Sequence, residues 1–414
     1  MFRHKIHCAA VAVFVGLTVA CDSTQPIAPR GTSRQVTFPP STVYIRGITL
    51  LDLGAIASGF NGLGGASTAY DVNDSGQVVG WTTLPGMRLG KLQEPPTNIP
   101  FVWSPSGGMN TSIPTCCGNS VATGINDSGV VVGTTYPTSG NAFAWIWRHG
   151  ALTTLAPLYP NESGAVAVTS TISKNGRIVG TSWGNDPTYD RNGVTWMDGN
   201  PGVAVPVLTL PDSTTGQTIP SVTGTGIDDN GEALGDEMDF MIRAWLVDMS
   251  GNVTTGTVSY QGWSADVSGY QAVNTSHNVV GWTQLQQQTT VPAQAFMLNL
   301  NSGQLTLLGS LLGPGGANPV GSSWAYGINE SNWVVGVSDY VTTQAHINQA
   351  FIWNTAVGMV SLGSLGGANP TPSGASAINH DMQGNRIYVA GWSTNSAGNT
   401  HAVLWTVLIG YRPV

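Results

Sequence analysis

Apolar residues along this chain come in short runs, each soon broken by a cluster of Gly, Asn, Asp or Ser. One such unit reads "AYDVNDSGQVVGW" from Ala69 to Trp81. It recurs as "ATGINDSGVVVGT" (Ala122 to Thr134) and "AYGINESNWVVGV" (Ala325 to Val337). The shared frame is Val or Ile, then Asn, Asp or Ser, a turn, and an apolar run closed by Gly. Seven copies are present: Val72-Asn73 to Gly80, Ile125-Asn126 to Gly133, Ile172-Ser173 to Gly180, Ile227-Asp228 to Gly235, Val273-Asn274 to Gly281, Ile328-Asn329 to Gly336 and Ile378-Asn379 to Gly391. Successive polar anchors lie 53, 47, 55, 46, 55 and 50 residues apart. That period is too long for leucine-rich or ankyrin repeats and matches the blade of a propeller.

Each repeat predicts four strands. A "STAYDV"-like strand enters a tight "NDSG"-like turn, whose residues suit a hairpin, and a "QVVGW"-like strand leaves it. After a variable loop comes an aromatic-centred run ending at Trp103, Trp147, Trp196, Trp353 or Trp405, with Val247 and Leu298 in two copies. A Gly-containing turn then leads to "LTTL" from Leu152, "LTLL" from Leu305 or "MVSL" from Met359. Seven such units predict an all-β, seven-bladed β-propeller of four-stranded antiparallel blades. The last repeat, "HAVLWTVLIG" (His401 to Gly410), has no fourth strand of its own, whereas "GITLLDLG" (Gly47 to Gly54) stands unpaired before the first. Pairing Ile48–Leu53 with Ala402–Val407 would close the ring and remove the exposed edge of an open array.

The combination "S.A..IN.SG.VVG", the aromatic-Trp third strand and "LDLGAI" resembles the HAF-repeat family of extracellular bacterial proteins. The His-Ala-Phe signature survives as "NAF" at Asn141, "QAF" at Gln294 and Gln349, and "HAV" at His401. The resemblance covers residues 45 to about 410 and implies export and a propeller-like repeat. The family carries no established chemistry, so no catalytic residue transfers.

The amino terminus reads as a processing signal. Arg3 and Lys5 precede the apolar "AAVAVFVGLTVA", which is too short to span a bilayer comfortably. The segment ends in Ala20-Cys21 and resembles a bacterial lipoprotein signal, with Cys21 the lipidated first residue; Thr18 leaves ordinary signal-peptidase cleavage open as the alternative. The expected organisation is a signal peptide over residues 1–20, a Pro/Ser/Thr-rich tether over 21–43 and the propeller over 44–414. A lipid anchor outside the cytoplasm, at the outer membrane or cell surface, follows.

Composition narrows the function classes. The net charge of -8 and the lack of any basic cluster exclude a nucleic-acid binder. Charged residues are only 9% of the chain, yet 41% hydrophobic residues and 14 Trp supply a core. Once the signal is removed and Cys21 acylated, only the adjacent Cys116 and Cys117 remain. In an oxidising compartment they either close a vicinal disulfide or stay as two thiols. With no His or further Cys nearby, no metal site is expected, nor any cofactor.

Alternating strand direction puts the short, similar turns ("NDSG", "RHGA", "NLNSG") on one face of the disc. The long, divergent loops fall on the other, such as Thr82 to Pro100 and Trp183 to Gly193. Precise scaffold and free loops coexist there, which makes that face the expected binding face. Trp81, Trp282 and Trp392 each follow the closing Gly, and Trp183 lies three residues past Gly180. Either they present aromatic rings to a ligand, together with Arg88, or each covers its own blade edge. "GTSWG" (Gly180 to Gly184) matches a nucleophile elbow around Ser182, but no helix follows it, so it reads as a chance match. Loop acids (Asp186, Asp190, Glu237, Asp239, Asp339) define the alternative, a glycosidase-like hydrolase with carboxylates at the channel mouth. The favoured expectation is a monomeric, non-enzymatic scaffold for an envelope protein or glycan.

Overall fold

The computed structural model describes residues 41–413, apart from 57–64, 85–87, 90–91, 94–96, 185–191, 207–209, 212–217, 220–221, 238–242, 261–262, 286–291, 314, 316–319 and 343–344. Cys21 and the expected signal and tether therefore fall outside it, except for the tether's last residues. The described residues form seven antiparallel blades in a ring, with no helix. Blade one is Ser67–Val72, Val78–Leu84, Thr97–Ser104 and Gly108–Asn110, from the axis outward. Blades two to six repeat that order, blade five with an additional two-residue strand, Ser259–Tyr260, paired to the start of its first. Blade seven runs Ser373–Ile378, Arg386–Thr394, Thr400–Pro413 and, outermost, the amino-terminal strand Ser41–Gly54.

The closing register follows the sequence expectation, with Ile48 opposite Val407 and Gly54 opposite Ala402, and it continues back to Ser41 opposite Pro413. His401 Nδ1 meets the Asp52 carboxylate at 2.9 Å across the same pair of strands.

Both faces of every blade are buried against neighbours, which explains why the second strands read as apolar runs rather than as an alternation. Val78 packs toward blade seven with Ala390, Ala402 and Leu404, whereas Val79 packs toward blade two with Ala122, Ile125 and Trp145. One apolar cluster fills each blade-to-blade seam in this way. At the seam between blades six and seven, Trp405 and Val389 pack on Val335, Ala350 and Ile352. Of the repeated third-strand Trp residues, Trp196 and Trp405 are fully enclosed and Trp103 and Trp353 nearly so. Trp147 is only half-buried: Trp145, two residues earlier and opposite Gly133, fills the interior instead.

The repeated polar letters are the ties between blades. Ser323 at the head of blade six donates to Gly309 O and accepts from Ala295 N, both in blade five. Ser373 does the same to Gly363 O and Ala350 N of blade six. Ser67 ties Gly54 O and Ala402 N of blade seven, so ring closure uses the same latch as the seams between blades five and six and between blades six and seven. The anchoring Asn organises the turn through its oxygen and reaches the next blade through its amide. Asn73 Oδ1 accepts from Ser75 N and Gln77 N, while Nδ2 donates to Asn126 O at 3.1 Å.

The closing Gly answers a steric demand. In all seven blades the first strand carries a one-residue bulge, seen as a register slip at Ala69/Asp71, Ala122/Gly124, Thr169/Thr171, Gly224/Gly226, Tyr270/Ala272, Ala325/Gly327 and Ala375/Ala377. Beside it the first-strand backbone presses on the second strand. A Cβ on Gly80 would stand 2.0 Å from Thr68 O, one on Gly281 1.8 Å from Gly269 O, and one on Gly336 1.9 Å from Trp324 O. Only glycine fits so close an approach.

Candidate functional site

The bulge also builds the site. The extra residue of each first strand is turned toward the axis, giving a belt of Tyr70, Thr123, Ser170, Thr225, Gln271, Tyr326 and Ser376, one from every blade. These side chains line a central channel of about 1030 Å³. All are neutral hydroxyls or an amide. Ser170 Oγ donates to Gly224 O at 2.6 Å, and Thr123 Oγ1 meets Thr169 Oγ1 at 2.8 Å, so part of the belt is fixed by the neighbouring blade. Thr225 Oγ1 is buried with no hydrogen-bond partner. Tyr70 and Tyr326 each keep 38% of their surface, and Tyr136, at the variable-loop end, keeps 48%.

The Trp residues named from sequence divide at this point. Trp392 lines the channel, its indole lying over Gly374 where a Cβ would come within 2.7 Å of Nε1. Trp282 lies over Gly269 in the same manner but is not part of the channel wall. Trp81 donates from Nε1 to the Tyr70 hydroxyl at 3.2 Å and thereby holds a wall residue. Blade six reverses the arrangement: Trp324 sits on the first strand opposite Val337, and both line the channel. Trp183 ends the second strand of blade three, half-buried and outside the channel wall. Arg88 begins the two-residue strand Arg88–Leu89 in the long loop of blade one, and its side chain lies outside the described residues. Cys116 and Cys117 are bonded to each other in the crossing from blade one to blade two, Cys117 with φ 62°.

At the short-turn end the channel stops. The residue after each anchoring Asn, Ser or Asp points inward, and charges from different blades meet there. Lys174 Nζ lies 2.8 Å from Asp381, 3.7 Å from Asp127 and 4.0 Å from Asp74. His380 Nδ1 lies 2.5 Å from Asp229 Oδ1, joining blade seven to blade four across the axis. Beyond His380, against Lys174 and Asp127, the remaining void is too small for a water molecule. Burial works against a charged His380, but Asp229, Asp71 and Asp74 outweigh it and raise its pKa to about 9. The Lys174 pKa is also raised, chiefly by its bond to Asp381.

Two further acids, Asp71 and Glu330, line the channel above this floor, and both are engaged. Burial pushes the Asp71 carboxyl up to about 6, against the pull of the amides it accepts from, Ile125 N at 2.9 Å and Val72 N at 2.8 Å. Glu330 accepts from Thr275 N at 3.1 and 3.2 Å and from Thr275 Oγ1. Of the acids considered for hydrolysis, Asp339 lies in the second strand of blade six and accepts from Ser322 N at 2.7 Å, just before that blade's first strand. Asp186, Asp190 and Asp239, and the side chain of Glu237, lie outside the described residues. Ser182 is buried near the end of the second strand of blade three, donating to Val166 O at 2.7 Å and accepting from Leu158 N at 2.9 Å. Thr82, Ser338 and Ser393 accept from Ile56, Leu311 and Leu365 in the same way, so Ser182 is one copy of a repeated structural tie. No cluster of His, Cys, Asp and Glu among the described residues could hold a metal ion.

No family model matches the chain, and no curated protein does. Similar solved structures are a protein of unknown function from Dyadobacter fermentans (11% identity, TM-score 0.42, 89% of this chain and 100% of that one), a puromycin-hydrolyzing peptidase from Mycobacterium tuberculosis (9%, 0.42, 74% and 46%), and TolB from Acinetobacter baumannii (9%, 0.38, 82% and 83%). This chain thus spans less than half of the peptidase. At such identities and scores the likenesses say nothing about activity; the seven blades rest on the strand pairings themselves.

Proposed function

We propose that this protein is an exported binding scaffold of a bacterial envelope, engaging a protein or glycan at the variable-loop mouth of its axial channel. The observation that carries this reading is the one-ended channel. A wall of hydroxyls and aromatic rings leads from the long loops to a charged floor, and the acids that line the channel, Asp71 and Glu330, are spent on backbone and threonine hydrogen bonds. Pockets with aromatic walls and a few placed polar groups are the usual form of binding sites. The repeat letters that resemble HAF-repeat proteins, the basic head and Ala20-Cys21 support export and a lipid anchor. Cys21→Ala is expected to release the protein from the membrane fraction or to arrest its maturation; unchanged retention would contradict lipidation.

The binding reading is tested by probing an array of glycans and envelope proteins with the purified chain and its Trp81→Ala and Trp392→Ala variants. At least one partner is expected to be retained, and the Trp392→Ala variant to lose it by tenfold or more. A partner held equally by all three proteins would remove the mouth from the site.

A second reading, a glycosidase-like hydrolase, draws on Asp71. A carboxyl raised to about 6 beside a channel is the kind of group a general acid requires. It predicts release of reducing sugar by the wild-type chain and none by Asp71→Asn. Ligand retention without product by both would leave the scaffold.

A further inference from the structure

We infer that the channel takes the end of a neutral oligosaccharide chain, entered from the variable-loop mouth and stopped at the Lys174–His380 floor; this rests on the binding reading above and specifies its ligand. Three features of the wall point to that chemistry.

The first is charge. Among the described wall residues there is no Lys or Arg, and the sole cationic group, His380, is engaged by Asp229. A uronic acid, a sialic acid or a phosphate would lose its hydration and gain no counter-ion, a cost that excludes anionic glycans. A cation fares no better, because Asp71 and Glu330 already accept bonds from Ile125, Val72 and Thr275.

The second is the form of the wall. Tyr70, Tyr136 and Tyr326 expose ring surface inside the protein, with Trp324 and Trp392 toward the mouth. A pyranose offers an apolar C–H face to such rings and hydroxyls at its rim. Gln271 and the hydroxyls of the belt can each donate and accept, which suits a ligand whose every hydroxyl does the same.

The third is length. About 1030 Å³ exceeds what a single sugar fills and stands at the top of the range for small-molecule pockets, roughly 300–1,000 Å³. Lys174, paired with Asp381 and Asp127, and His380, paired with Asp229, bridge the axis at the floor and stand in the way of a threading polymer. The ligand must enter by a terminus. The rings and the belt are set by strands rather than by loops, so the wall is pre-organised for it.

The test is calorimetric titration of the purified chain with cello-, malto-, xylo-, manno- and chitohexaose, with hexagalacturonate as the anionic comparison. One neutral hexaose is expected to bind, and hexagalacturonate is not. The same hexaose carrying a bulky fluorophore on both ends should bind at least tenfold more weakly than the uncapped sugar. Tyr326→Ala should weaken binding tenfold or more, with Tyr326→Phe retaining most of it, at an unchanged melting temperature. Tight binding of hexagalacturonate, indifference to double capping, or an unchanged affinity in Tyr326→Ala would each overturn the inference. If no neutral hexaose binds at millimolar concentration while an envelope protein is captured in a Trp392-dependent manner, the saccharide assignment falls and the scaffold reading stands. If neither is bound, both fall.

Discussion

Replacing Gly336 by alanine is expected to cost far more than any contact it removes, since it removes none. Gly336 lies mid-strand in blade six, and a Cβ there would stand 1.9 Å from Trp324 O and 2.9 Å from the Ala325 Cα. Relieving the first contact to about 3 Å requires the two innermost strands to part by about 1 Å. Overpacking of this kind costs about 1–3 kcal/mol, and opening the ladder beside the bulge forfeits a hydrogen bond worth about 1 kcal/mol. The expected loss is about 2–4 kcal/mol, which at about 2.1 cal/mol/K of unfolding entropy per residue lowers the melting temperature of a chain of this size by about 3–5 °C. Gly202→Ala is the control: that glycine is exposed on the outer strand of blade three, and its Cβ would meet nothing within 4 Å. Scanning calorimetry of the two variants beside the parent decides the matter. If Gly336→Ala melted with Gly202→Ala, the repeated glycine would not be a steric necessity of the bulge.

Deleting residues 41–54 leaves Thr400–Pro413 as an open edge, so it should broaden and lower the calorimetric transition; a transition matching the full chain would contradict closure by that strand. Ser67→Ala strips a partner from the buried Ala402 N and from Gly54 O at the same seam, and a loss of about 1–3 kcal/mol is expected in denaturant unfolding. On pH, the folded His380 pKa of about 9 lies above its ordinary 6.5, so its stabilisation is complete below 6.5 and is lost as pH rises through 9. Asp71 has the opposite sense: its raised pKa means that ionisation is costly, a penalty absent below 3.8 and fully developed above about 6. Stability measured across pH 6.5–9 should therefore decline, and Asp229→Asn should flatten that slope.

The blade count was legible because a seven-fold repeat multiplies a weak local signal. "NDSG" alone predicts a hairpin, while Asn73, Asn126, Asn274, Asn329 and Asn379 at near-constant spacing predict a ring. Ring closure was legible for a similar reason: Leu50–Leu51 copied the pattern of a fourth strand with no blade of its own. The channel wall was not. Tyr70 and Tyr326 hold the same repeat position, yet strict strand alternation gives no cue that a bulge turns that position to the axis. Nor could spacing reveal the floor, since Lys174 and Asp381 are 207 residues apart and meet only because blades three and seven face one another across the ring. Trp81, Trp282 and Trp392 looked equivalent in sequence. Gly374 lets the Trp392 indole lie over the innermost strand, as Gly269 does for Trp282, whereas Thr68 stands opposite Trp81 and its indole is tied to Tyr70; of the three, Trp392 alone lines the channel.

The most direct test of the account is a crystal structure of the protein soaked with the tightest-binding neutral hexaose. Sugar density is expected inside the channel, with one terminus toward His380, a ring against Tyr326 and the other end emerging past Trp392. Density confined to the short-turn face or to the outer strands, with the channel holding only water, would contradict it.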